Sequence, residues 1–169
     1  MERVILVDEN DCPIGTEEKL RAHQDGGRLH RAFSVFIYDR DGRMLLQKRA
    51  AGKYHFAGLW SNACCSHPRP EETTIDAARR RVREELGIDT ELRDTRSFTY
   101  HAFDHASGLH EREFVHLLTG NYDGEIRPDL DEISEIQWVD DRQLKRETSI
   151  TPDRFTPWFL AALRLMTEA

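Results

Sequence analysis

Apolar and alternating runs predict short β-strands along most of the chain. Asp41 and Gly42 lie between two of these runs, and an Asp-Gly pair supplies the positive φ that a tight hairpin turn needs. Further along, the alternation places Glu111 and Glu113 on the same strand face as Val115. The predicted strands cover residues 4–7, 32–38, 43–49, 97–103, 111–118 and 135–139.

Helical periodicity begins at Thr73. Thr73 and Asp76 have the spacing of a capping box, and Gly87 suits the left-handed residue that ends many helices. Helical periodicity over residues 155–166 predicts a second helix at the C-terminal end. The apolar stripe that should face the core from the first helix consists of Ile75, Ala78, Val82 and Leu86.

A shorter helical segment is predicted near the N-terminus. Residues 16–23 fit a helical turn that Thr16 caps, with Lys19 and His23 on one face. Strands interleaved with helices indicate an α/β or α+β fold in which a mixed β-sheet lies between helices. The length fits one domain, residues 1–169.

Charge and cysteine content exclude several classes of protein. The 31 acidic residues outnumber the 24 basic ones, so binding to nucleic acid or to an anionic membrane is not expected. No run suits a signal peptide or a transmembrane helix, which makes the cytoplasm the expected location. Three cysteines, of which Cys64 and Cys65 are adjacent, make a poor disulfide framework and suit a reducing compartment.

Residues 61–68 place a thiol and an imidazole just before the helix that begins near Thr73. On a neighbouring face of this helix, Ala77, Arg81 and Glu85 follow each other at four-residue steps. A small residue, a cation and an anion on one line could serve a binding site. The commoner origin of such spacing is an ion pair on a solvated face.

Scattered imidazoles and carboxylates form a candidate metal-ligand set. Glu111 and Glu113 continue into an apolar strand face, where carboxylates are buried only with cations or metal as partners. Nitrogen and oxygen donors of this kind suit Zn²⁺, Mn²⁺ or Mg²⁺, although the spacing alone does not define a site. The candidates are His23, His30, His67, Glu111 and Glu113.

The segment 66–88 resembles the Nudix box, in which a Gly and a Glu precede an Arg-Glu-apolar-any-Glu-Glu-any-Gly-apolar sequence. Glu72 fits, but Ser66 replaces the leading Gly and Arg81 replaces a metal-binding Glu. In Nudix hydrolases this Glu cluster holds Mg²⁺ against a diphosphate and activates water. A cation in its place weakens the metal site and favours an anion, which indicates a diphosphate that is bound without being hydrolysed.

A series of separate motifs resembles those of the type 1 isopentenyl-diphosphate isomerase family, in the same order, from about residue 15 to residue 160. Members of this family move the double bond of isopentenyl diphosphate to give dimethylallyl diphosphate, in isoprenoid biosynthesis. The resemblance implies a Nudix-like fold and this activity. The motifs include residues 28–34, 60–68, 81–87, 111–113 and 156–158.

The resemblance also implies catalytic roles. Cys65 and Glu113 match the acid and the base, in either order, and Tyr100 matches a residue that hydrogen-bonds near this carboxylate. Trp158 would offer a π face to a cationic intermediate and line the substrate site. In an extended segment only one of Cys64 and Cys65 can face a pocket, and the match to the family motif selects Cys65.

Two metal sites are implied in the same way. The five candidate ligands would hold Mn²⁺, Zn²⁺ or Mg²⁺, and Glu85 with a main-chain oxygen near Cys65 would bind a second ion, Mg²⁺, that bridges the diphosphate. The family's diphosphate-binding cations match Lys19, Arg49, Lys53 and Arg81.

Two rival functions share part of this residue set. A Nudix pyrophosphohydrolase would release phosphate, whereas a noncatalytic diphosphate-binding module would keep the cations without needing Cys65 or Glu113. We expect isopentenyl or dimethylallyl diphosphate as the ligand, with no nucleic acid or membrane partner, and a monomer or homodimer.

Overall fold

A computed structural model describes residues 1–168. The strands are β1 (Arg3–Val7), β2 (Pro13–Glu18), β3 (His30–Tyr38), β4 (Met44–Arg49), β5 (Trp60–Asn62), β6 (Cys64–Ser66), β7 (Arg93–Asp104), β8 (Leu109–Asn121) and β9 (Ile133–Val139). The helices are α1 (Lys19–Ala22), α2 (Thr74–Leu86), α3 (Asp141–Ile150) and α4 (Pro157–Thr167), and Pro152–Arg154 form a 3-10 turn.

The strands form a mixed sheet around β3. This strand pairs in parallel with β8 and antiparallel with β6, while β7 and β8 form a long antiparallel hairpin. β4 pairs with both β5 and β9 and follows β3 through the predicted turn, where Gly42 has a φ of 75°. The register places His30 opposite Glu113 and Ser34 opposite Cys65, which brings three distant segments to one end of the sheet.

Alternation along β3 divides its side chains between two hydrophobic cores. Phe33, Val35 and Ile37 pack in the core that includes the buried side of α2. Ala32 and Phe36 pack in the core that includes α3 and α4. A sheet with helices on both faces is the predicted α+β arrangement, which is thereby confirmed.

The helix α2 begins and ends where the sequence predicted. Its buried face, however, lacks the first turn that the predicted apolar stripe included. The Thr73 hydroxyl accepts a hydrogen bond from the Asp76 amide at 3.2 Å, and Gly87 ends the helix with a φ of 67°. Ile75 shares the angular position of Val82 but lies in the first turn and is 38% exposed, so its assignment to the core was wrong. The buried residues of α2 are Ala77, Ala78, Val82, Glu85 and Leu86.

The segment before His23 differs from the prediction. Thr16 lies in β2 opposite Ile5, because pairing with β1 satisfies the backbone that a helix would otherwise use. The helical turn begins only at Lys19, and the Glu18 side chain caps it by accepting from the Leu20 amide at 3.2 Å. The prediction of Thr16 as the cap was therefore wrong. Within residues 1–168, no helix combines the length and apolar composition that crossing a membrane requires.

Candidate active site

A cavity of about 130 Å³ collects most of the residues singled out in the sequence. Those that line it are Lys19, Arg49, Lys53, Cys65, His67, Arg81, Tyr100, Glu111, Glu113 and Trp158. Phe33 of the 28–34 motif and Ser66 of the Nudix-box-like segment line it as well, together with four residues that the sequence did not point to, Glu2, Tyr54, His55 and Glu132.

The five candidate metal ligands meet beside this cavity. One nitrogen or oxygen atom from each residue lies within 4.8 Å of the corresponding atoms of the other four, and all five residues are buried. The structure therefore brings the predicted ligand set together from β3, from β8 and from the residues that directly follow α1 and β6. The ligands are His23, His30, His67, Glu111 and Glu113.

Main-chain carbonyls orient two of the imidazoles. His23 Nδ1 lies 2.6 Å from the Lys19 oxygen, and His30 Nδ1 lies 2.7 Å from the Arg28 oxygen. Since a carbonyl can only accept, each Nδ1 carries the proton and each Nε2 presents its lone pair to the cluster. This is how metal-binding histidines are commonly oriented in proteins.

Unsatisfied polar atoms show that a cation fits the cluster. His23 Nε2, His30 Nε2 and Glu111 Oε2 are buried and have no hydrogen-bond partner in the described part of the chain. Each such atom costs about 1–3 kcal/mol when left unpaired. A divalent ion would give all three a ligand bond, and the mixed nitrogen and oxygen donors suit Zn²⁺ or Mn²⁺.

Burial controls protonation within the cluster. It lowers the pKa of His67 to about 3, so the ring is neutral and able to coordinate. Burial and the adjacent Glu113 raise the pKa of Glu111 to about 7. Burial alone would also raise the pKa of Glu113, but the adjacent imidazoles of His30 and His67 outweigh it and hold that pKa well below its usual range.

The two adjacent cysteines face opposite sides of the sheet. Cys64 is fully buried in the α2 core, whereas the sulfur of Cys65 lies 3.4 Å from Ser34 Oγ and 3.1 Å from Asn62 Oδ1. Burial raises the pKa of Cys65 to about 11, so it is a thiol at neutral pH. Alternation along β6 accounts for this arrangement.

Tyr100 lies across the ladder from Glu113, in the cavity wall. Its hydroxyl donates to Glu113 Oε2 at 3.0 Å, while His67 Nε2 lies 2.8 Å from Oε1. Burial, followed by the charge of Glu113, raises the pKa of Tyr100 well above its usual value. Tyr100 therefore stays a hydrogen-bond donor, and both oxygens of Glu113 are held in place.

Three of the four predicted diphosphate-binding cations have carboxylate partners. Lys19 pairs with Glu2 at 3.0 Å. Lys53 contacts Glu132, and Arg81 lies 3.4 Å from the same carboxylate. All three of these ion pairs therefore lie at the cavity wall.

The Arg81–Glu85 pair is present but does not lie on a solvated face. Arg81 lines the cavity, and Glu85, which it contacts, is only 4% exposed. Burial raises the pKa of Glu85, against the effect of Arg81. The solvent-exposed interpretation of this spacing was therefore wrong, and of the two residues it is Arg81 that lines the cavity.

Arg49 and Trp158 form the remaining wall of the cavity. The guanidinium lies over the indole ring at 5.2 Å from its centroid, a cation–π contact. Arg49 also donates to the main-chain oxygens of Phe56 at 3.2 Å and His55 at 3.1 Å. The indole N–H of Trp158 donates to Ser61 Oγ at 3.0 Å, which fixes the ring plane.

Sequence reasoning missed several residues that contact assigned ones, and His55 and Glu132 are two of them. His55 contacts Glu111, and Glu132 contacts Lys53 and Arg81. The available signal for His55 was an imidazole within the aromatic-rich run 54–60. Glu132 lies among several acids with no distinguishing spacing, and only the folded chain singles it out.

The fold is that of a NUDIX domain protein, because residues 28–159 match the NUDIX domain family. Two solved structures share it. A Deinococcus radiodurans protein aligns with a TM-score of 0.70 and 21% identity, over 88% of this chain and 89% of that one. The MutT protein of Methanosarcina mazei Go1 aligns with a TM-score of 0.63 and 18% identity, over 78% and 87%.

Comparison with relatives of similar sequence identifies a family within the NUDIX domain class. The isopentenyl-diphosphate Delta-isomerase of Halorhodospira halophila is 49% identical over 160 residues, which cover 94% of this chain and 91% of the relative. The enzyme of that name from Burkholderia multivorans is 50% identical over 159 residues, covering 94% and 89%. The chain belongs to the isopentenyl-diphosphate Delta-isomerase family, as its motifs predicted.

Proposed function

We propose that this protein converts isopentenyl diphosphate to dimethylallyl diphosphate, with Cys65 and Glu113 as the proton-transferring pair. The observation that carries the proposal is the shared cavity. A thiol and a carboxylate line the same space as a cluster of cations and an aromatic ring. The family to which the chain belongs supports the reaction.

The reaction is balanced by one proton gained and one proton lost. Protonation of the terminal methylene carbon produces a tertiary cation, and loss of a proton from the methylene on its other side gives the new double bond. Cys65 holds a proton at its sulfur, and Glu113 offers a carboxylate fixed by Tyr100 and His67. Trp158 would face the cation and exclude water, which would otherwise trap it as an alcohol.

The cavity cations would bind the head group. Lys19, Arg49, Lys53 and Arg81 line the wall and would exchange their present partners for phosphate oxygens. Binding energy from this charged end would hold the small apolar tail between Cys65 and Glu113, where few other contacts can position it.

Two metal ions complete the proposal. His23, His30, His67, Glu111 and Glu113 would hold Mn²⁺, Zn²⁺ or Mg²⁺, which when bound makes a proton near the Glu113 carboxyl group more acidic. Glu85 and a main-chain oxygen near Cys65 would bind Mg²⁺ that arrives with the diphosphate.

We further propose the cytoplasm as the site of action, with the protein a monomer or homodimer. All three cysteines are free, and a reducing compartment keeps Cys65 as a thiol. Light scattering at micromolar concentration distinguishes the two assembly states.

Incubation with isopentenyl diphosphate and Mg²⁺ in D₂O tests the function. We expect dimethylallyl diphosphate that carries deuterium on a methyl group, detected by NMR, and no release of phosphate. Phosphate without the rearranged alkene would instead identify a Nudix pyrophosphohydrolase. Tight binding without either product would identify a diphosphate-binding module.

A further inference from the structure

His55 lies next to the metal-ligand cluster but is not one of its members. It occupies the loop between β4 and β5 and is 7% exposed. Its Nε2 contacts Glu111 Oε1, while Glu111 Oε2 lies 3.3 Å from His23 Nε2. The two oxygens of one carboxylate therefore face two different imidazoles, one inside the cluster and one outside it.

We propose that His55 is a positioning residue for the metal site. By donating its Nε2 proton to the outer oxygen of Glu111, it would aim the inner oxygen at the ion. The inference rests on the proposed metal site, but it concerns a residue that the family motifs do not assign.

The contacts favour a hydrogen-bonding role over direct coordination. A metal-bound carboxylate is ionised and can only accept, so His55 must carry its proton on Nε2, the nitrogen that faces it. Its Nδ1 is buried without a hydrogen-bond partner among residues 1–168, and the carboxylate of Glu111 occupies the Nε2 side. Partners of this kind fix the direction of ligating groups and tune metal affinity.

Aromatic packing holds the His55 ring in place. The ring stacks on Tyr54 with centroids 4.2 Å apart and planes inclined by 25°. Phe56 lies edge-on at 5.6 Å, and Trp158 lies at 6.2 Å. Since the ring has little freedom to turn, its contact with Glu111 is preorganised rather than formed only when metal enters.

Metal affinity tests the inference without reference to turnover. We would measure the Kd of the full-length protein for Mn²⁺ and Zn²⁺ by chelator competition, in the wild type and in His55→Ala, His55→Gln and His55→Asn. We expect His55→Ala to weaken binding by about 10- to 100-fold. His55→Gln, whose amide reaches as far as Nε2, should restore most of it, and the shorter His55→Asn should not. His101→Ala is the matched control, because that imidazole is exposed, and it should leave the Kd unchanged.

Pulsed EPR of the Mn²⁺ form separates the positioning role from coordination. We expect three coordinated imidazole nitrogens in the wild type and the same three in His55→Ala. Four that fall to three would make His55 a ligand and overturn the inference, as would an unchanged Kd in a folded His55→Ala protein. If His55→Ala does not fold, the other two variants decide. Equal metal affinities of His55→Gln and His55→Asn would then overturn the inference. Failure of the wild type to rearrange the alkene would refute the proposed function while leaving this comparison of affinities intact.

Discussion

Asn62 connects Cys65, one member of the proposed proton-transferring pair, to the strands around it, and the removal of its side chain tests whether this support is needed. The side chain is fully buried. Its amide donates to the main-chain oxygens of Val35 at 3.0 Å and Cys64 at 3.1 Å, and its own oxygen accepts from the Cys65 thiol at 3.1 Å. Asn62→Ala would remove these three bonds together with a fourth, which the same oxygen accepts from Ser61 Oγ at 3.0 Å.

The size of the effect follows from the two carbonyls that lose a donor. A buried polar group left without its partner costs about 1–3 kcal/mol, so two of them set a loss of about 2–6 kcal/mol in the free energy of unfolding. We expect the lower half of this range, because a carbonyl oxygen has a second lone pair that another donor can satisfy. The Cys65 thiol also loses its acceptor, so turnover should fall more than substrate affinity.

Urea denaturation followed by circular dichroism measures the loss, with the slope of the unfolding curve as a check that the compactness of the two states is unchanged. Asn10→Ala is the control, since Asn10 is exposed, and it should stay within about 0.5 kcal/mol of the wild type. If Asn62→Ala is as stable as Asn10→Ala, the buried amide does not hold these strands, and the reasoning fails.

Three other perturbations test the remaining parts of the site. Cys65→Ala and Glu113→Gln should each abolish isomerisation, while calorimetry should still detect binding of the substrate. Cys64→Ala should change turnover little. A Cys65→Ala protein that remains active would remove the acid/base assignment. Removing metal with a chelator should lower the melting temperature, because an ion at 100 times its Kd stabilises the folded state by about 2.7 kcal/mol. An unchanged melting temperature would exclude a structural ion. Glu132→Gln frees Lys53 from an ion pair worth about 0.2–1 kcal/mol and removes one of the carboxylates that contact Arg81, so inorganic diphosphate should bind up to about fivefold more tightly in the absence of Mg²⁺. Weaker binding would contradict that role for Glu132.

Local signals predicted the periodic elements of this fold well. The ends of α2 could be located because Thr73, Asp76 and Gly87 act on backbone groups within one turn of themselves. The segment that contains Thr16 could not be predicted this way, since its pairing partner Ile5 lies on another strand and decides between extended and helical backbone. The exposure of Ile75 likewise depends on which elements cover the first turn.

Predicting the candidate site required the resemblance to a known family as well as the properties of the individual residues. His23 and Glu111 are far apart in the chain, and spacing alone gave no reason to combine them. In the fold the main-chain oxygen of His23 accepts from the amide of His110 at 2.8 Å, which places His23 beside Glu111. The motifs identified both, because the family carries matching residues in the same order. His55 and Glu132 belong to no motif that was recognised, and their three-dimensional contacts with assigned residues revealed them.

One loop joins the two ends of the proposed substrate site. Arg49 donates to the main-chain oxygen of His55 and lies over the ring of Trp158. One residue therefore contacts both the loop that carries His55 and the aromatic wall of the cavity. The ring of His55 then contacts Glu111, a proposed metal ligand. A diphosphate that binds Arg49 would therefore be held by the same few residues that orient the metal carboxylate and the indole. In such an arrangement, binding energy from the charged end can align the reacting tail without a large conformational change.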